Sequence, residues 1–255
     1  MKKVIAAVLA LILCLGLAAC SQGKSLKSIQ KAGKLVVATS PDFPPFEYLE
    51  GDEVVGIEVD ILQMIAQELG VTLEIQQMDF DSVLPGVQAG KFDVGMSGIT
   101  ITEKRQKNAD FTQPYFLASQ AIVVMADSDI TDKADLTGKK IAVQTGTTAE
   151  EYCMANGYEV LAFQANNDAC EALTCGKVDA WVVDNEVALD LSAKTNGATV
   201  VLDEAMTSEP YGFAFAKGSD TLVAAINALL DKWLADGTIE GIFEKYGVPY
   251  VSPLK

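Results

Sequence analysis

Short β-branched runs that alternate with helical patterns constrain this chain more than any other feature. Residues 35–39, 71–76 and 92–96 read as strands, and Val59, Leu62, Ala66 and Leu69 mark one helical stripe between the first two. Parallel neighbours need a long crossover, so a strand, helix, strand rhythm specifies an α/β fold on a mostly parallel sheet. A second set follows at 121–125, 141–144, 159–163, 178–183 and 199–202, separated by helical patterns at 149–156 and 169–174.

Two connections join the sets. Residues 111–117, with Pro114, lead into the second set. Residues 206–211, with Pro210, lead back to a strand-like 212–216 and a C-terminal helix carrying Leu222, Ile226, Leu229 and Trp233 on one face. A chain that enters and leaves its middle segment in this way implies two lobes, 31–115 plus 211–255 and 116–210. The small-molecule site is expected between them, since clefts at domain interfaces are the preferred place for one.

At the N-terminus Lys2 and Lys3 precede an apolar run from Val4 to Ala19, the layout of a secretory signal peptide over residues 1–19. The run is shorter than the ~20 residues of a membrane-spanning helix. Leu17, Ala18, Ala19 and Cys20 resemble the lipobox of bacterial lipoproteins, whose cysteine is lipid-modified and becomes the mature N-terminus. That resemblance makes Cys20 a membrane anchor with two acyl chains, enough for stable attachment. Residues 20–30 are then the lipidated N-terminus and tether, and the protein is extracytoplasmic. A cysteine that merely follows an ordinary cleavage site is the weaker alternative.

Composition excludes several functions. The formal charge of −16 repels nucleic-acid phosphates, so no nucleic-acid partner is expected. Without histidine or a C-x-x-C pair, the usual zinc ligands and the Ser-His and Cys-His nucleophiles are missing, and no metal or cofactor is implied. Cys153, Cys170 and Cys175 are an odd set that forms no disulfide framework. One bridge among them stays open; small buried side chains on helices are the plainer reading.

Three places point to ligand chemistry. In Gly98-Ile-Thr-Ile-Thr-Glu-Lys-Arg105, Thr102 reads as an N-cap and Arg105 stands where a capping box places Glu or Gln. A cation there opposes the helix dipole and suggests an anion to be bound, although a solvated surface arginine fits as well. In Gln144-Thr-Gly-Thr-Thr148 a strand runs into a helix, with Thr148 and Glu151 spaced as a capping box and free N–H groups that suit an anion. A plain cap without ligand is the competing reading. Asp184 ends the strand 178–183, where a carboxylate faces the crevice and can pair with an ammonium, cap the helix beginning at Asn185, or both.

From about Leu35 to Tyr246 the chain resembles the extracellular polar amino-acid-binding proteins of ABC importers, solute-binding protein family 3. The stretches VVATSPDFPPFEY, VGIEVDILQMIAQELG, MDFDSVLPGVQAGKFDVGMSGITITEKR, IAVQTGTT, GKVDAWVVD and YGFAFAKGSD carry the likeness in order and spacing. The resemblance implies a periplasmic-binding-protein-like (type II) fold, two lobes of mostly parallel sheet flanked by helices and joined by a two-strand hinge. It also implies a monomer that captures a free amino acid by lobe closure and delivers it to the permease subunits of an ABC transporter. By the same resemblance Arg105 would clamp the ligand carboxylate with Thr100, Thr147 and Thr148. Asp184 and the Gly98 carbonyl would hold the ammonium, and Phe43 and Phe80 would enclose the side chain.

The chain departs from the family at Ser40, where many members carry an acid. Asp42 replaces that acid only if its loop turns it inward, and Val183 and Gln144 leave the distal pocket moderately polar. A neutral polar ligand is therefore favoured, with a basic one possible. Two other classes remain open: an enzyme resembling cyclohexadienyl dehydratases, with Asp184 or Glu186 as general acid, and a sensory surface lipoprotein.

Overall fold

The computed structural model describes residues 23–203 and 206–253; the predicted leader and Cys20 lie outside them. Chain order runs α1 (Leu26–Ala32), β1 (Lys34–Thr39), β2 (Asp42–Phe43), β3 (Glu47–Glu50), β4 (Glu53–Val55), α2 (Ile57–Leu69), β5 (Thr72–Gln77), α3 (Phe80–Gln88), β6 (Val94–Gly95), α4 (Glu103–Gln106) and β7 (Ala109–Phe111). After the crossing strand β8 (Phe116–Ala118) come β9 (Gln120–Met125), β10 (Lys140–Gln144), α5 (Thr148–Ala155), β11 (Glu159–Phe163), α6 (Asn166–Thr174), β12 (Ala180–Asp184), α7 (Asn185–Ala193) and β13 (Thr199–Val201). The chain returns through β14 (Glu209–Tyr211) to β15 (Ala214–Ala216), α8 (Asp220–Ala235) and α9 (Thr238–Lys245).

Two five-stranded sheets result, in the orders β5-β1-β6-β15-β7 and β11-β10-β12-β9-β13. Each is mostly parallel with one reversed strand. β15 runs antiparallel to both neighbours in the first sheet, and β9 does so in the second. Both are the first strand after a crossing between lobes, so they enter without a crossover helix to turn them round. The crossing strands β8 and β14 pair antiparallel, Tyr211 opposite Phe116 and Glu209 opposite Ala118. An aromatic cluster roots this hinge in the first lobe: Phe46 lies 5.2 Å from Tyr211, and Phe116 stacks on Phe243 at 4.6 Å.

Sequence periodicity located most helices. In α2 the buried face is Ile57, Glu58, Ile61, Leu62, Ile65, Ala66 and Leu69, with Val59 only half-buried. In α8 the third core position is Leu230; Leu229 sits at the edge of the stripe. One expectation is corrected. The tether does not extend to residue 30, because α1, capped by Ser25, buries Ile29 against the first lobe. The Gly23 N–H already bonds the Lys217 carbonyl at 3.0 Å, and the Lys24 N–H bonds the Ser219 hydroxyl at 3.1 Å. Cys153 and Cys170 are buried on α5 and α6, Cys175 is exposed, and all three are free.

Candidate ligand site between the lobes

A narrow cavity of about 10 Å³ between the lobes is lined by Phe43, Phe80, Ser97, Gly98, Thr100, Arg105, Gln144, Thr147, Thr148 and Asp184. All eight residues expected from the sequence therefore stand in one place. Lobe contacts close around it: the Arg105 Nη2 donates to the Gly146 carbonyl at 3.2 Å, and Lys104 pairs with Glu151 at 2.6 Å.

Arg105 sits in α4, where Thr102 accepts its N–H at 3.1 Å as the expected N-cap. The four-residue α4 is too short for a helix dipole to decide anything. Packing fixes the guanidinium instead. Its Nη1 donates to the Thr100 carbonyl at 2.9 Å, and its plane lies 5.7 Å from the centre of the Phe80 ring. Burial pushes its pKa down, and Glu151, Glu209 and Asp184 oppose that, so the group stays charged. Two carbonyls leave N–H donors of the fork for an anion.

On the second lobe the helix cap lies one residue earlier than the spacing suggested. Gly146, at φ 81°, turns the chain so that Thr147, not Thr148, is the N-cap of α5. Its hydroxyl donates to the Gln144 carbonyl at 2.7 Å and accepts the Glu150 N–H at 3.1 Å, while the Glu150 carboxylate takes the Gly146 N–H at 2.7 Å. Glu151, the expected capping partner, is the residue paired with Lys104. The first-turn N–H groups of α5, which no intrahelical carbonyl can satisfy, begin at Thr148 beside the cavity.

Asp184 ends β12 and occupies the N-cap position of α7, yet its side chain makes no capping bond. The carboxylate is 7% exposed, and its Oδ1 has no hydrogen-bond partner. Burial, then the neighbouring Glu209 and Glu186, push its pKa up to about 7, partly offset by Tyr211 and Gln120. An unpaired buried carboxylate is costly, and a cation arriving in the cavity relieves that cost.

Gly98 adopts φ 51°, and a Cβ there would lie 2.4 Å from the Phe43 ring, so only glycine lets the ring form this wall. Its N–H donates to the Glu58 Oε2 at 3.1 Å, and the Tyr115 hydroxyl donates to Oε1. Glu47 and Glu58, both fully buried behind the cavity wall, were not singled out in the sequence. A signal existed: Glu58 stands one turn before Ile61 and Leu62 on the apolar face of α2.

Asp42 turns toward the second lobe. Its Oδ2 accepts the Asn166 N–H at 2.7 Å and the Gln144 Nε2 at 3.1 Å, and its Oδ1 accepts the Ser40 hydroxyl at 2.8 Å. Gln144 Nε2 also donates to the Gln164 carbonyl at 3.0 Å, and Gln144 Oε1 accepts from Asn166 Nδ2 at 3.0 Å. Burial raises the Asp42 pKa against these hydrogen bonds. No helix among the described residues is long and apolar enough to cross a membrane, and no cluster among them suits a metal ion.

Comparison with known proteins adds a second line. The family model described as bacterial extracellular solute-binding proteins, family 3, matches residues 35–249. The L-cystine-binding protein TcyJ of Escherichia coli K12 is 32% identical over 227 residues, covering 87% of this chain and 85% of that protein. A mutant of ArgBP from T. maritima superposes with TM-score 0.83 at 40% identity, covering 87% of this chain and 98% of its own. The ancestral amino acid-binding protein AncCDT-1, described as a precursor of cyclohexadienyl dehydratase, superposes with TM-score 0.81 at 37% identity, over 87% and 98% of the two chains.

Proposed function

Because the chain belongs to the bacterial extracellular solute-binding proteins, family 3, we propose that it captures a free amino acid by lobe closure and delivers it to an ABC-type importer. One observation carries the reading: the buried Asp184 carboxylate of one lobe, with its Oδ1 left without a hydrogen-bond partner among the described residues, and the Arg105 guanidinium of the other line the same cavity. Opposite charges held on two lobes match a zwitterion. Arg105, with Thr100, Thr147 and Thr148, takes the α-carboxylate; Asp184 and the Gly98 carbonyl take the α-ammonium; Phe43 and Phe80 enclose the side chain. Each lobe supplies half of the clamp, so the ligand shifts the population toward the closed state.

The distal groups narrow the ligand class. Ser40 and Gln144 are the polar residues expected near the distal side chain, but the Ser40 hydroxyl is engaged by Asp42 and both Gln144 N–H bonds go to Asp42 and the Gln164 carbonyl. What Gln144 offers the cavity is an acceptor. The ligand side chain therefore ends in donors, a neutral amide or a cationic group, and is neither a carboxylate nor purely aliphatic. A thermal-shift screen of the amino acids followed by calorimetry tests this, since a ligand of the folded state alone raises apparent stability. Glutamine and arginine should bind more tightly than glutamate and leucine; the reverse order would overturn the class. No shift with any amino acid would overturn the function.

The protein acts as a monomeric binder and not as an enzyme; prephenate or arogenate incubated with it should yield no aromatic product. The lipobox places a lipid anchor on Cys20 after removal of residues 1–19. Cys20→Ala should fold normally and leave the membrane fraction. Retention after a high-salt wash would remove the anchor assignment.

A further inference from the structure

Directly behind the cavity wall lie two acidic side chains with no cation among the described residues to balance them. Glu47 on β3 and Glu58 on α2 are both 0% exposed. The Glu47 carboxyl faces the Ser97 hydroxyl and the Glu58 carboxyl and receives no backbone N–H, whereas Glu58 accepts one hydrogen bond on each oxygen, from Gly98 N–H and the Tyr115 hydroxyl. The two carboxyl groups are hydrogen-bonded to each other. Two carboxylates cannot share such a bond without a proton between them, and like charges buried together cannot both ionise. The proton belongs on Glu47, because Glu58 already serves as acceptor for two other donors.

We propose that Glu47 and Glu58 are positioning residues of the ligand site: protonated Glu47 donates to Glu58, and Glu58, so held, fixes the Gly98 N–H and the wall that meets Phe43. Burial is the first cause raising both groups, Glu58 to about 7, and no cation is among the groups that shift either one. The charged and titratable neighbours are Asp42, whose charge raises Glu47 further, and Tyr115. With Glu47 raised, the arrangement is intact below its folded-state pKa and is lost as pH rises through it. Gly98 then loses its anchor while the cavity side chains keep theirs.

The inference rests on Gly98 belonging to the ligand site, but its test reads Gly98 directly. Infrared spectra near neutral pH should show a protonated buried carboxyl that Glu47→Gln removes. Amide exchange at Gly98, corrected for its intrinsic rate, should speed up roughly tenfold in the wild type as pH rises through the raised Glu47 titration. Glu47→Gln, which keeps a donor that cannot titrate, should abolish that dependence and retain protection. Glu58→Leu, which removes the acceptor, should lose protection at every pH while the hinge amides keep theirs. Affinity for L-arginine or L-glutamine, whichever binds, should follow the Gly98 profile in each variant. A buried-carboxyl band that Glu47→Gln leaves undiminished, beyond the share Asp184 contributes, or Gly98 protection indifferent to both substitutions, would overturn the proposal. Failure of every amino acid to bind would strike the proposed function and leave the exchange result standing.

Discussion

In the first lobe Glu58 lies fully buried, bonded by the Gly98 N–H, the Tyr115 hydroxyl and Glu47; in the second, Asp184 is 7% exposed and one oxygen has no partner. Burial is the leading cause that pushes each of them up to about 7. The difference lies in what surrounds them. Protein donors saturate Glu58, so it is a fixed part of the frame. Asp184 is left short of donors on the side of the cavity, with Glu186 and Glu209 adding negative charge behind it. A buried charge satisfied by the protein stiffens a site, and one left unsatisfied reserves a place for ligand.

The largest expected effect follows from removing that reserve. Asp184→Asn should weaken amino-acid binding by about 3 kcal/mol or more, because the ligand ammonium then has no buried partner. It should leave the unliganded protein no less stable, since an uncompensated charge disappears. Calorimetry and thermal unfolding measure the two sides, and a clear loss of unliganded stability would break the contrast with Glu58.

Next in size, Arg105→Lys should cost about 2 kcal/mol of affinity, since an ammonium cannot reproduce the planar fork that the Thr100 and Gly146 carbonyls hold in place. Full rescue by lysine would mean the carboxylate is held elsewhere.

A pH series sharpens the comparison. With its folded value at about 7, Asp184 holds a proton below that pH, so affinity should strengthen as pH rises through it, by at most ~1.4 kcal/mol per pH unit. Unliganded stability should change the other way, falling between the ordinary carboxylate range and about 7, because the native state there holds a proton that the unfolded chain has lost. Both dependences should vanish in Asp184→Asn. An affinity independent of pH in the wild type would place the ammonium elsewhere.

The smallest effect belongs to the latch across the cleft. Asp42→Asn keeps an acceptor but loses the charge facing Asn166 and Gln144, and should loosen the closed unliganded state by about 1 kcal/mol. Small-angle scattering should show a modest expansion without ligand and none with it.

The parts that were readable from sequence share a physical reason. β1, β10 and β11 are apolar or β-branched runs flanked by polar residues, and Arg105 and Asp184 are charges at element ends, where a side chain has few structural duties. β6 shrinks to two residues because Asp93 bonds Val36 with both its N–H and its carboxylate, each at 2.8 Å, in place of a longer ladder. Charges and prolines hid the β2–β4 meander, and Pro85 with Gly86 broke the pattern of α3. Two consecutive threonines gave no sign of which one caps α5; the turn at Gly146 decided it. Glu47 was illegible because a carboxylate in a strand pattern reads as a solvated face, and Glu58 showed itself only as a carboxylate on the apolar face of α2; tertiary packing closes over both.

The bond from Gly23 to Lys217 has a mechanical consequence. With an anchor at Cys20, two residues separate the lipidated cysteine from the first described point of attachment, and the three fully stretched residue steps reach only about 10 Å. The first lobe would then be moored at the bilayer surface while the second swings on β8 and β14. Capture would displace the free lobe against a stationary base, so a receptor in the same membrane could sense occupancy as a change in the height and tilt of that lobe. Lengthening the leash with flexible residues would blur that signal without touching the cavity.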